Sequence, residues 1–198
     1  MPAFIEHQHE PLYRVVRAGW QDPLDTSYGR ARGGRWNAPG SYDVLYTACS
    51  RRVARFVALD IFRVAAVTLE DLLPAARPAL AEIGWRGRVV EAITERGLEA
   101  AGLPHHYPKG TGHETTQALA TTWHADGAEG IVCRSASVAR AGLDEWAEPH
   151  EPWSELAVFI ENATGQPALL RLSSRLDWLL PDPGSRQAPD RKEGDDDG

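Results

Sequence analysis

Cysteine is nearly absent: Cys49 and Cys133 are the only thiols in 198 residues, too few for a disulfide framework or a zinc site of four thiolates. Such usage fits a reducing cytoplasm, where we expect the protein to reside. No apolar run approaches the ~18 residues of a membrane span. The opening residues, Met1-Pro2-Ala3-Phe4-Ile5-Glu6-His7, lack the basic region and apolar core of a secretory signal. No membrane association is therefore expected. An excess of positive charge is missing too, with 21 Lys and Arg against 28 Asp and Glu and a net charge of −7. Neutralising phosphates is what drives binding to a long polyanion, so a nucleic-acid partner is not expected. Neither a Walker loop nor a Gly-x-Gly-x-x-Gly fingerprint occurs, which removes the usual sequence support for P-loop or Rossmann nucleotide binding. The seven histidines include no His-Glu-x-x-His pair, and we expect no metal. His113 and His124 bracket a helical stretch that also holds Gln117 and Trp123; either lines a pocket or lies on the polar surface.

The chain does have a 42% hydrophobic content, enough at this length to bury roughly 70% of the unfolded surface in one core. One domain over residues 1–180 is expected, followed by an acidic tail at 181–198 that ends in Asp195-Asp196-Asp197 and reads as disordered. Leu12 to Val16, Val44 to Ala48, Ala66 to Leu69, Glu129 to Cys133 and Leu156 to Ile160 read as strands. Helical spacing marks Ser50 to Phe62, with Ser50 as N-cap, and also Val89 to Ala101 and Thr115 to Ala125. These elements do not alternate strictly, so the expected fold class is α+β, with mixed, mostly antiparallel sheets and flanking helices. The segment Gly19 to Gly40 reads as a long loop, and a loop of that length is suspected of function.

Within that loop stands Gly33-Gly34-Arg35-Trp36-Asn37-Ala38-Pro39-Gly40, just before Val44-Leu45-Tyr46-Thr47-Ala48. Glycines let backbone N–H groups approach an anion, and Arg35 offers a two-pronged fork suited to phosphate. A turn whose arginine faces solvent fits the same spacing. Trp20, Tyr28, Trp36 and Tyr46 border the loop as stacking surfaces or core residues, with core packing favoured for Trp20 and Trp36.

These residues carry a resemblance to the RES-domain toxins of bacterial toxin–antitoxin pairs. Four elements stand in that family's order between about residues 12 and 161: Arg14 after an aromatic, the GGRWN-x-PG element at 33–40, the strand VLYTA at 44–48, and Gly130-Ile131-Val132-Cys133-Arg134-Ser135-Ala136. The resemblance implies a fold similar to ADP-ribosyltransferases. It also implies an activity that destroys NAD by phosphorolysis, with inorganic phosphate as co-substrate, or by hydrolysis. Some relatives instead transfer ADP-ribose to a protein. A further implication is a cognate antitoxin of the helix-turn-helix type. Carried over residue by residue, Arg14, Gly34 and Arg35 match NAD- or phosphate-binding positions, Tyr46 the aromatic at the nicotinamide end, and Ser135 the family serine.

The family glutamate would fall eleven residues after the tyrosine, where this chain has Val57. Breaking an N-glycosidic bond builds positive charge on the ribose, which a carboxylate stabilises and valine does not. Asp60, about one helical turn further on, is the nearest acid. Three roles are open to it: substitute catalytic carboxylate, arginine partner, or solvent-facing residue. Ser135 lacks the Gly-x-Ser-x-Gly elbow of a nucleophile, so it reads as positioning substrate or capping a strand end. A weakened, binding-only relative remains the alternative to an enzyme. Residues 14–55 hold eight arginines against Asp22, Asp25 and Asp43, a local excess of positive charge that suits a dinucleotide pyrophosphate.

Overall fold

Short β-branched and aromatic runs set the sheet. The computed structural model describes residues 2–7, 11–143 and 153–180, and the expected disordered tail at 181–198 lies outside them. Among the described residues eight strands form: β1 (Phe4–His7), β2 (Leu12–Arg17), β3 (Val44–Ala48), β4 (Pro78–Gly84), β5 (Gly87–Ala92), β6 (Gly130–Arg134), β7 (Ser154–Phe159) and β8 (Ala168–Ser173). They make one sheet in the order β1-β5-β6-β7-β3-β2-β4-β8. Every pairing is antiparallel except β5 with β6. The mostly antiparallel α+β domain read from the sequence is therefore the observed fold, in a single sheet. Five α-helices accompany it among the described residues: α1 (Ser27–Arg32), α2 (Arg51–Ala65), α3 (Glu95–Ala101), α4 (His113–Ala125) and α5 (Ala136–Arg140).

Helix α2 starts where expected, because the Ser50 hydroxyl accepts a hydrogen bond from the Val53 N–H at 3.2 Å, satisfying one orphan donor of the first turn. Three local expectations are corrected. Ala66 to Leu69 is not a strand: Ala66 takes a left-handed conformation (φ 53°) that ends α2. Val89 to Ala101 is not one helix. Its first part is β5, where Val89 and Val90 pair with β6, and only from Glu95 does the chain coil, with Thr94 capping Gly97 N–H at 3.0 Å. Cross-strand pairing of the two valines overrides the helical spacing. The long loop at 19–40 contains α1, whose residues are all at least partly exposed.

Alternation divides the sheet into two faces. Leu12, Val16, Leu45, Val132, Leu156 and Val158 fill a core on one side. On the other side two helical layers dock. Tyr107 and the α3 and α4 residues Leu98, Ala120 and Trp123 cover Val44, Ile131, Cys133, Ala157 and Phe159. The α2 residues Val53, Ala54 and Ala58, with Val138 of α5, cover Ala48 and Leu80. The boundary between these two layers, called the seam below, falls where β6, β7 and β3 carry Cys133, Glu155 and Ala48 side by side.

Candidate functional site

The glycine-rich loop is held against the sheet by its own neighbours. Tyr46 Oη accepts from the Trp36 N–H at 2.9 Å and donates to Asn37 Oδ1 at 2.7 Å. From α4, Gln117 Nε2 donates to the Gly34 and Asn37 carbonyls at 2.7 and 3.2 Å, and Thr116 Oγ1 donates to the Arg35 carbonyl at 2.6 Å. Gly34 is required by contact: a Cβ there would stand 2.5 Å from Tyr46 Oη, below any real van der Waals separation. Trp36 is buried in the core, as expected from the sequence, with its ring 6.0 Å from that of Tyr107 and 5.9 Å from that of Trp123. Trp20 is only partly buried and packs against the opposite core, while Tyr28 is exposed.

This scaffold leaves Arg35 aimed at the seam. Its Nη1 is buried without a hydrogen-bond partner, and its guanidinium lies 5.9 Å from the Tyr107 ring centroid. An unmade hydrogen bond on a buried cation is expensive, which makes Arg35 a ready anion receptor. The other arginines of the basic stretch are largely committed to the fold. Arg30 pairs with Asp43 at 3.1 Å, Arg51 with Glu82 at 2.6 Å, and Arg55 Nε donates to the Leu179 carbonyl at 2.6 Å. Arg52 stacks 4.1 Å from the Trp153 ring centroid.

Arg14 belongs to that structural group. It shares a face with Leu12 and Val16, opposite the face of Tyr46, and donates to the Pro23 and Asp25 carbonyls at 2.9 Å each. Burial lowers its pKa, with Asp25 and Asp22 acting against the shift. The structure thus does not bring Arg14 together with Arg35.

Ser135 does lie at the seam, fully buried. Its hydroxyl caps α5 by accepting from Val138 N–H at 3.3 Å and donates to Glu155 Oε1 at 2.5 Å. Glu155 was not singled out in the sequence. Register puts it there: on β7 it sits opposite Ala48 of β3 and Cys133 of β6, on the same face as Tyr46. The available sign was a charged residue in phase with Ala157 and Phe159, the inward positions of an otherwise apolar strand. Burial raises the Glu155 pKa, and the Ser135 hydrogen bond, Arg35 and Arg140 only partly offset it. Burial also pushes Cys133 up to about 12 and Tyr46 well above the ordinary phenol range, so both stay neutral. His113, at the start of α4, has its pKa lowered by burial and by Arg35 and Arg140. His124 instead stacks on Tyr42 at 4.0 Å, against Phe159.

A family model described as "RES domain" matches residues 11–152. The chain belongs to the RES domain family. Its structure is similar to one reported as "Crystal structure of the M.tuberculosis MbcT-MbcA toxin-antitoxin complex", with 25% sequence identity over 82% of this chain and 82% of that one and a TM-score of 0.65. No curated protein is a match by sequence.

In this RES domain, Val57 is partly buried and packs on the α2 core layer. Asp60 is tied up in an ion-pair cluster. Arg140 grips both of its carboxylate oxygens through Nε at 3.0 and 2.9 Å and contacts it again through Nη2. Arg63 donates at 2.9 Å and Ser137 Oγ approaches to 3.4 Å. Burial would raise the Asp60 pKa, but Arg140 and Arg63 outweigh it and hold the group below its usual value. Of the sequence-derived site residues, Gly34, Arg35, Tyr46 and Ser135 converge on the seam, and Asp60 flanks it from α2. Among the described residues no cluster of three His, Cys, Asp or Glu side chains fit for a metal occurs, and no helix is long and apolar enough to cross a membrane.

Proposed function

We propose that this RES domain cleaves the bond between nicotinamide and ribose in NAD, releasing nicotinamide by phosphorolysis or hydrolysis. The observation that carries the reading is the buried, unpartnered Nη1 of Arg35, on a loop immobilised by Tyr46, Thr116 and Gln117. A fixed guanidinium with an open donor is pre-organised for a pyrophosphate or phosphate oxygen and loses little entropy when it binds. Gly34 lets the loop lie flat on Tyr46, whose ring supports the nicotinamide end of the substrate. Ser135 fixes the seam beneath the ribose, and Asp60 holds Arg140 at its edge. No metal takes part. Inorganic phosphate, where used, enters as co-substrate beside Arg35. Since the similar structure is reported as a toxin–antitoxin complex, we read this chain as the toxin of such a pair. Its partner is then an antitoxin protein of the helix-turn-helix type that covers the mouth of the seam. The site is a cytoplasmic one for a small anion, not for nucleic acid.

Val57 supports a second reading. An apolar side chain at that helix position is what a RES domain that binds nucleotide without cleaving it would carry. Incubating the purified full-length chain with NAD, with and without phosphate, separates the two. Nicotinamide release that requires phosphate identifies phosphorolysis, and release without phosphate identifies hydrolysis. NAD binding with no release identifies the binding module, and ADP-ribose on a protein identifies transfer.

A further inference from the structure

Glycosidic cleavage of NAD needs a carboxylate that reaches the ribose and is not already neutralised by cations. Position 57 supplies none, and the Asp60 oxygens are occupied by Arg140 and Arg63. Glu155 meets both conditions. The Ser135 hydroxyl is wholly buried and committed to Val138 N–H and Glu155 Oε1, so of the pair the carboxylate is the group left to act on a ligand. The small residues Ala48 and Cys133 flank it in register on the face shared with Tyr46. Ser135 Oγ at 2.5 Å and the Ser137 N–H hold its orientation. Arg35 and Arg140 act on it through space without closing a direct ion pair among the described residues.

We propose that Glu155 is the catalytic carboxylate of this chain, taking over from a neighbouring strand the work that Val57 cannot do, with Ser135 as its positioning residue. The assignment rests on the NAD-cleaving reading above. As the C1′–N1 bond breaks, its electron pair leaves with the nicotinamide nitrogen and cancels that ring's positive charge. The charge appearing at C1′ faces Glu155. Water, or phosphate where it is the co-substrate, then forms the new C1′–O bond, and its proton passes to Glu155 and on to solvent. The products are nicotinamide and ADP-ribose, or ADP-ribose phosphate.

Burial holds the Glu155 pKa above its ordinary value of 4.5. Its titratable and charged surroundings are Cys49 just past the end of β3, Tyr46 on β3, Cys133 on β6 and Tyr107 across the seam. Arg35, Arg140 of α5 and, through Arg140, Asp60 of α2 complete them. His113 of α4 faces the same two arginines. The two thiols and two phenols are held neutral by burial, while the Glu155 pKa is raised and the His113 pKa lowered from their ordinary values.

The test compares wild type with Glu155→Gln, which can still accept from Ser135, using NAD and measuring free nicotinamide across pH. We expect kcat to fall about 100-fold or more, KM for NAD to stay within about threefold, and the acidic limb of the wild-type profile to vanish. Release by Glu155→Gln within about threefold of wild type, or an acidic limb that persists in it, overturns the assignment. Should the variant melt far below wild type, the wild-type profile decides: kcat/KM must fall on acidification around a midpoint above 4.5, and a flat profile overturns the assignment. A wild-type chain that releases no nicotinamide refutes the functional reading itself and Glu155 with it.

Discussion

Replacing Tyr46 by phenylalanine removes one oxygen and strands two partners. The Trp36 N–H loses its acceptor at 2.9 Å, and Asn37 Oδ1 loses its donor at 2.7 Å. Asn37 is fully buried, and one vacated oxygen leaves too little room for a bridging water. Each unsatisfied group costs about 1–3 kcal/mol, so the variant loses about 2–6 kcal/mol. For a domain of this size that lowers Tm by roughly 4–24 °C. Gly34→Ala acts on the same contact from the other side, its Cβ pressing Tyr46 Oη at 2.5 Å and Cζ at 2.8 Å, an overpacking worth about 1–3 kcal/mol. In the double variant the closest clash disappears with the hydroxyl, so the two losses add to less than their sum by about 1 kcal/mol. Scanning calorimetry of the four proteins measures the cycle. Because burial keeps the phenol neutral, the Tyr46→Phe difference should be the same at pH 6 and pH 8. A Tyr46→Phe protein that melts within about 1 °C of wild type would show that the loop does not depend on this oxygen, and the account of the site as a pre-organised anion receptor would fall.

Arg35→Met should abolish NAD binding, measured by calorimetric titration, while leaving Tm unchanged or higher, since the guanidinium Nη1 it removes is buried without a partner; a large loss of stability would mean the arginine serves the fold. Asp60→Asn strips Arg140 and Arg63 of their shared carboxylate; both arginines are largely in solvent, so it should destabilise by about 0.5–1 kcal/mol at pH 7. The Asp60 pKa is depressed on folding, so its contribution is present above the unfolded value of 3.8 and is lost as pH falls through the folded one; urea melts of the two proteins should therefore converge below that range. Glu155 behaves oppositely. Its pKa is raised on folding, so the stability it contributes is present below 4.5 and lost as pH rises through the folded value. Glu155→Gln should consequently melt at or above wild type at pH 7, and a lower Tm there would contradict the desolvated-carboxylate account.

The strands β2, β3, β6 and β7 and the helices α2 and α4 were legible because each carries a periodic apolar pattern with clear ends, such as Ser50 before α2. Pattern failed where pairing outside the segment decided. Val89 and Val90 look helical alone and become a strand beside β6. The edge strand β8, exposed along almost its whole length, has no alternation to read. Within the site, Gly34, Arg35 and Tyr46 were visible because the motif that builds the loop also holds the arginine.

By itself the sequence determined the domain class, the family and the short glycine–arginine–aromatic motif, since these depend on local conformation and on residue types close in the chain. Only the tertiary structure decided which acid faces the site. Asp60, one turn from the expected position, is claimed by Arg140 across the α2–α5 contact. Glu155, 20 residues from Ser135, reaches it through the β6–β7 register. Arg14 is turned to the far face by the two-residue period of β2. Alternation assigns each strand residue to a face, but strand order and register decide which residues share a neighbourhood, and those depend on contacts between segments far apart in the chain.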